Sequence, residues 1–390
     1  MSLSTLADAC SSMSSNIAQK DLVGHKGQYP IYGASGLIGF VNFYKQEQQY
    51  IAVVKDGAGI GRVFSLPPYS SVIGTMQYLL PKDSIDVNYL YYAVQFMHLE
   101  KYYTGSTIPH IYFKDYKHEP LNIPSRDKQQ EISSILILVD KAIDTLHAQI
   151  AHLEELVKSR FIELFGDPVT NPKGWKMGFL SECLQKIESG KSFICDSNER
   201  QGTSPGLLKL SAATYGVYNP QENKALHSDA DFVKQAEIHA GDLLFTRKNT
   251  PDLVGMCAYV WQTPENLMMP DLIFRLIPNK NIHPIFLWKL INHDVFRPKI
   301  KKLATGSAQS MSNISQERLK SLVVFVPPLD LQNEFAAFVE QADKSKFAVL
   351  MHRQISLKTA LLSAMFSSYT NSDRRICKSL HRRSVEHDEL

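Results

Sequence analysis

A block of this chain returns some two hundred residues later, in the same order and each time ahead of a helix-like pattern. Lys101-Tyr-Tyr-Thr-Gly-Ser106 recurs as Lys302-Leu-Ala-Thr-Gly-Ser307, an offset of 201. Asn122-Ile-Pro-Ser-Arg-Asp-Lys-Gln129 with Glu131 and Ile132 recurs as Val326-Pro-Pro-Leu-Asp-Leu-Gln332 with Glu334 and Phe335, an offset of 203. A two-residue insertion between the blocks accounts for the difference. Ordered duplication sets the architecture before any local element is considered. The 390 residues are then two copies of one unit, not one large domain or a single small binding module.

After the first block, Ile132, Leu136, Val139, Ile143, Leu146, Ile150, Leu153 and Val157 alternate spacings of four and three, an unbroken heptad seam. From Asp127 to Leu164 such a helix is ~57 Å long. Pro124 precedes it without interrupting the ladder, and Gly166, Asp167 and Pro168 supply the stop. The second copy, Leu329 to about Phe366, carries Phe335, Phe338, Val339, Ala342, Val349, Ile355, Leu361, Leu362 and Met365 in a looser register that Lys346 and Arg353 interrupt. A long helix with one apolar stripe is unstable alone, and the nearest matching surface is its duplicate. The pattern therefore predicts an intramolecular coiled coil, with core helices of two separate domains as the alternative.

The segments ahead of these helices read as mixed α/β. In the first, Tyr50–Val54, Arg62–Phe64 and Tyr78–Leu80 are predicted strands and Val87–Leu99 a helix. In the second, Gly206–Leu210, Asp242–Phe245, Met256–Val260 and Leu272–Ile277 are predicted strands and Pro284–Asn292 the matching helix. The polar, charged stretch from Ser367 to Leu390 is expected to be poorly ordered.

Lys plus Arg number 42 against 39 for Asp plus Glu, a net +3. This balance does not advertise nucleic acid, so any DNA-facing charge must be locally arranged. Five cysteines, Cys10, Cys183, Cys195, Cys257 and Cys377, include no Cys-x-x-Cys pair and read as reduced thiols. Met1 to Lys20 lacks a signal-peptide pattern, and no apolar run approaches the ~18 residues of a membrane span. A soluble, cytoplasmic protein is expected.

Fragments that look catalytic each fail at a residue their chemistry needs. Gly190-Lys-Ser192 ends like a phosphate loop, but Gln185 stands where the leading glycine belongs. Leu66-Pro-Pro-Tyr69 is similar to the loop with which amino-methyltransferases hold a base, yet leucine offers the amine no acceptor. Asp115-Tyr-Lys117 is half of a nuclease pattern, and none of the 13 histidines forms a metal-binding cluster. No catalytic or metal-binding residue is assigned.

What remains are Gly-rich and basic loops beside strands, suited to a phosphate backbone. Tyr32-Gly-Ala-Ser-Gly36, with Tyr32 and Ser35, and Lys55-Asp-Gly-Ala-Gly-Ile-Gly-Arg62, with Lys55, Asp56 and Arg62, are two of them, tight hairpin turns being the alternative. Thr104, Ser106, Thr107 and His110 form a third. In the second segment Lys209 lies in a predicted strand, and Thr246-Arg247-Lys248-Asn249 follows another. Arg to guanine and Asn to adenine are the favoured major-groove pairings. Between Lys289 and Lys320 seven cations, Lys289, Arg297, Lys299, Lys301, Lys302, Arg318 and Lys320, face only Asp294 and Glu317. That patch leads into Thr305, Ser307, Gln309 and Ser310, polar groups suited to phosphates and base edges. Duplicated loops beside duplicated helices suggest two DNA half-sites.

Phe161-Ile-Glu-Leu-Phe-Gly-Asp-Pro168, followed by Asn171-Pro-Lys-Gly-Trp175, adds a more specific signal. With the Thr-Gly-Ser loops and the Pro-x-x-x-x-Gln-x-Glu helix starts at Pro124 and Pro327, it resembles the DNA specificity subunits of type I restriction-modification enzymes over nearly the whole chain. The resemblance implies an α/β fold with an internal pseudo-repeat: two mixed α/β target-recognition domains separated by two long helices packed as an antiparallel coiled coil. The domains would span 1–125 and 167–327, the central helix 126–166, the C-terminal helix 328–366 and the tail 367–390.

It further implies a non-catalytic subunit that reads a split, asymmetric double-stranded DNA site. Its helices would set the spacing and dock two methyltransferase subunits, joined by motor-nuclease subunits. S-adenosylmethionine, ATP and Mg would belong to those partners. The rival reading is a two-headed protein-binding scaffold without sequence-specific DNA binding. Two features depart from the family pattern. The first copy opens at Leu3-Ser-Thr-Leu-Ala-Asp8, equivalent to Phe179-Leu-Ser-Glu182 but without a Trp-containing lead-in, and the residues after Phe366 match nothing in it.

Overall fold

The computed structural model describes residues 4–22, 24, 26–105, 108–305 and 311–352. The chain divides into two compact units, one ending at Ala148 and the other Gln149–Val349.

In the first unit β1 (Cys10–Ser14), β2 (Tyr50–Val54), β3 (Val63–Leu66) and β4 (Met76–Pro81) form an antiparallel sheet in the order β1-β4-β2-β3. Side chains alternate across a strand, so the five consecutive apolar residues of β2 serve two cores. Ile51 and Val53 pack against Tyr89, Leu90, Ala93 and Val94 of α1 (Val87–Phe96). Tyr50, Ala52 and Val54 pack with Leu66, Val72 and Tyr78 on the opposite face. Asp86 starts α1 by accepting the Tyr89 N–H at 2.9 Å. A smaller sheet of Tyr29–Gly33, Gly36–Val41 and Ser71–Val72 completes the unit.

Helix α2 (Arg126–Phe165) is continuous over 40 residues. Along it Ile132, Leu136 and Val157 are buried, and Val139, Ile143, Leu146, Ile150 and Leu153 half-buried, while Leu138 and Leu156 between them stand exposed. The carbonyls of its last turn are taken up by the junction motif. Lys173 donates to Glu163 and Leu164 at 2.6 and 3.1 Å, and the Trp175 indole donates to Phe165 at 2.8 Å. Asn171 holds Trp175 in place through both its amide and its carbonyl, and Gly166 takes the left-handed φ of +78° that ends the helix.

The second unit repeats the first. Its sheet of β5 (Leu184–Ser189), β6 (Leu243–Thr246), β7 (Cys257–Tyr259) and β8 (Ile273–Pro278) has the order β5-β8-β6-β7, the same permutation, with α3 (Pro284–Asn292) in the place of α1. Within this unit the end of α2 packs on α4 (Leu329–His352). Val157, Phe161 and Phe165 share a core with Phe335, Ala336, Val339 and Ala342. Each buried phenylalanine there is worth about 1.5–3 kcal/mol. Arg160 pairs with Glu334, and Glu154 lies 3.5 Å from Lys346, so the two helices run antiparallel. Lys346 thus breaks the heptad register as an ion-pair partner. The continuation of the second helical pattern from Arg353 to Phe366, and the tail, lie outside the described residues.

The edges of the copies differ. Lys176–Phe179 pairs antiparallel with Val323–Val326, whereas among the described residues the first copy keeps a single bridge, Thr5 to Pro120. The turn that follows is shared: Asp8 accepts the Thr5 N–H at 2.8 Å and Glu182 that of Phe179 at 3.4 Å. Cys10, Cys183, Cys195 and Cys257 are free thiols.

Candidate nucleic-acid interface

Where β2 ends, Lys55 donates its N–H to the Thr75 carbonyl and accepts the Ile111 N–H, both at 2.9 Å. His110 bridges Asp56 on one side and Thr104 on the other, exchanging two 2.8 Å backbone hydrogen bonds with Thr104. Where β6 ends, Arg247 donates to Leu272 at 3.0 Å and accepts from Ile314 at 2.8 Å. Asn313 pairs with Lys248 and bridges Thr305, through bonds of 2.8 and 2.9 Å. The same backbone clamp is therefore built twice, and it gathers Lys55, Asp56, Thr104 and His110 in one copy and Arg247, Lys248 and Thr305 in the other. The clamped loop runs from Thr104 to His110 in the first copy and from Thr305 to Asn313 in the second, so the two-residue insertion falls inside it. Ser106, Thr107, Ser307, Gln309 and Ser310 lie outside the described residues.

Side chains differ on this common frame. His110 Nδ1 is 2.7 Å from Asp56 Oδ1, and Lys55 Nζ is 3.0 Å from Asp56 Oδ2. The His110 ring stacks on exposed Tyr112, over which Lys114 also sits at 5.3 Å. Arg247 Nε donates to Asn313 Oδ1 at 3.3 Å and its guanidinium lies 5.0 Å from the centre of the Phe274 ring. Lys248 is 3.8 Å from Asp271, which also accepts from Ser192. Lys209 lines a cavity of about 360 Å³ with Phe193, Leu207, Leu208, Lys224 and Leu272.

Several predicted contacts are redirected inward. Thr246 is fully buried and its hydroxyl donates to the carbonyls of Leu253 and Met256. Asn249, 6% exposed, donates to the Thr214 hydroxyl and accepts the Thr250 N–H, so its amide is turned into the protein. Tyr32 packs beside Val72 and Tyr78, and Tyr32 to Gly36 is the turn of a β-hairpin with Ser35 exposed in it. Arg62 stays exposed, its Nε bonded to Gly59.

The basic patch is smaller than its sequence count. Arg297 is buried, with its guanidinium on the Val254 and Gly255 carbonyls. Lys289 lies 3.5 Å over Trp288, and burial lowers its pKa to about 8. Lys299, Lys301, Lys302, Arg318 and Lys320 keep surface exposure, and Lys301 pairs with Asp252 at 3.2 Å. Sequence reasoning missed Asn313 and Tyr112; the 203-residue offset from His110 leads to Asn313. Among the described residues no three His, Cys, Asp or Glu side chains converge as a metal site, and no helix is long and apolar enough to cross a membrane.

Residues 2–155 and 172–359 match the family described as type I restriction modification DNA specificity domain. The chain is 27% identical over 251 residues, 62% of its length, to the type I restriction enzyme EcoEI specificity subunit of Escherichia coli, and covers 42% of that protein. It is 35% identical over 174 residues, 44% of its length, to the putative type I restriction enzyme MjaX specificity subunit of Methanocaldococcus jannaschii, and covers 40% of it. The match thus spans less than half the length of these relatives. The crystal structure of the S subunit of a type I restriction-modification system from M. genitalium superposes with a TM-score of 0.59 at 16% identity, covering 95% of this chain and 96% of that one, a likeness of fold.

Proposed function

The chain belongs to the type I restriction modification DNA specificity family, and from that premise we propose that it is the sequence-reading subunit of a restriction-modification complex. Each copy of the clamp addresses one half of a bipartite, asymmetric duplex site. Surface lysines and arginines, among them Lys302 and Arg318, hold phosphates, while the clamped side chains meet base edges. The observation that carries this reading is the single backbone clamp built twice with different polar groups, Lys55, Asp56 and His110 against Arg247, Lys248 and Asn313. A common frame with variable side chains is what two different half-sites require.

The helices set the half-site spacing and dock two methyltransferase subunits, for which exposed Leu138 and Leu156 offer apolar contact. Motor-nuclease subunits complete the complex, in the cytoplasm. S-adenosylmethionine, ATP and Mg serve those partners, and this chain positions them without catalysing. The test is duplex binding by the purified chain as salt is raised. Affinity resting on about six phosphate contacts falls roughly a thousandfold between about 50 and 200 mM salt. A chain with no duplex affinity at low salt overturns the reading.

A further inference from the structure

Given that the two clamps read DNA, their side chains differ in what they can present to a base. Arg247 is held on two sides, by Asn313 at Nε and by the Phe274 ring, whose centre lies 5.0 Å from the guanidinium carbon. Among the described residues its terminal nitrogens have no hydrogen-bond partner, so a planar fork of donors is pre-oriented and unspent. In the first copy the equivalent strand-end residue is Lys55, whose ammonium is tied to Asp56. The polar group left over is the His110 ring. A carboxylate only accepts, so the proton of the 2.7 Å bond to Asp56 lies on His110 Nδ1, and in the tautomer that carries only this proton Nε2 is an acceptor. The Tyr112 ring lies near-parallel beside that of His110, 19° from its plane with the centres 6.3 Å apart.

We infer that Arg247 reads a guanine in one half of the site, through N7 and O6, and that His110 reads the exocyclic amine of an adenine or cytosine in the other. Asn313 and Asp56 are the positioning residues. The loop residue that reads in the first copy is the buttress in the second, so one backbone frame yields opposite hydrogen-bond polarity and an asymmetric site.

The test is selection of a randomised duplex pool by the full chain, with sequencing of the bound fraction. The wild type should enrich a bipartite motif holding a guanine in one half and an amine-bearing base in the other. Arg247→Lys keeps the charge but loses the fork. It should reduce preference for that guanine about tenfold or more while the other half stays as selective as before. Asn313→Ala should weaken the same position to a smaller extent. His110→Ala should relax only the amine-bearing position, and His110→Asn, which retains an acceptor, should restore part of it. Retained selection of the untouched half shows that each variant is folded. Variants that leave the wild-type motif unchanged, or that relax both halves together, overturn the assignment while DNA reading stands. A wild-type pool without any enriched motif overturns the proposed function and the assignment with it.

Discussion

Gln129 and Gln332, 203 residues apart, make the same three hydrogen bonds, each within its own unit. Gln129 accepts the Asp86 N–H at 2.8 Å and donates to the carbonyls of Ser84 and Pro124 at 3.1 and 2.9 Å. Gln332 accepts the His283 N–H at 2.8 Å and donates to Asn281 and Pro327 at 3.2 and 2.8 Å. They are 1% and 0% exposed. Every partner is a backbone atom, so the start of each long helix is latched to the loop ahead of α1 or α3 whatever side chains that loop carries.

Replacing either glutamine with alanine leaves one N–H and two carbonyls facing a buried gap. A buried polar group left unpaired costs about 1–3 kcal/mol, and partial relaxation should hold the total near about 3 kcal/mol. Gln129→Glu should cost more, because its carboxylate would face the two carbonyls that the amide now satisfies. The urea unfolding midpoint of the intact chain measures both effects. Unmoved midpoints in the alanine variants would remove the latch from the account.

Neighbouring positions on α2 should respond in opposite ways. Val157 is 4% exposed against Phe335 and Val339, whereas Leu156 is 52% exposed. Val157→Asp places an unpaired charge in an apolar core and should destabilise by at least about 3 kcal/mol. Leu156→Asp should lie within about 0.5 kcal/mol of the parent. Thermal melts of the two variants decide it, and equal melting points would contradict the seam.

Periodicity exposed the long helix because its seam depends only on which positions are apolar, and Ile132 to Val157 obey one register without a break. Pro284–Asn292 was equally legible, with proline where a helix begins. β1 and β5 were not. Cys10-Ser-Ser-Met-Ser14 carries no alternation of branched apolar residues, and its place in the sheet comes from pairing with β4. Similar reasons divide the interface. The repeat pointed to Thr104 and Thr305, but nothing local to Thr246, Asn249 or Arg297 shows that their polar atoms close internal hydrogen bonds. Side-chain direction at a strand end is set by the tertiary partner, and for Arg247 that partner, Asn313, lies 66 residues away.

Acid should loosen the second unit. Both His293 ring nitrogens are buried, beside Phe161, and among the described residues neither has a hydrogen-bond partner. Burial pushes the pKa below the ordinary 6.5; Asp294 and Asp167 oppose the shift and Lys158 adds to it. His283 is shifted the same way by burial. As pH falls through 6.5 the unfolded chain binds protons that the fold resists. Stability from this source is complete above 6.5 and is lost as pH drops through the folded-state value. Urea midpoints from about pH 7.5 to about 5.5 should therefore decline, and His293→Phe should flatten part of the slope. A variant with the parental slope would place the effect elsewhere.

The latch also predicts that recognition domains can be exchanged. Residues 1–125 meet α2 through the backbone of Ser84, Asp86 and Pro124 and through the apolar core that buries Ile132 and Leu136, so a foreign domain with the same loop path and an apolar face there can satisfy Gln129 without closer sequence likeness. Tyr92, whose hydroxyl donates to Asp140 at 2.8 Å, is a side-chain contact that such a graft would lose. A part-exposed bond of that kind is worth about 1–3 kcal/mol, small enough for the domain to stay docked. Exchange should then replace one half of the selected DNA motif and leave the other half and the spacing as they were, because the second clamp and both helices are untouched. Motif selection before and after the exchange is the measurement. A change in both halves would mean that the two clamps do not read independently. A change in spacing alone would mean that residues 1–125 set the distance and not the bases.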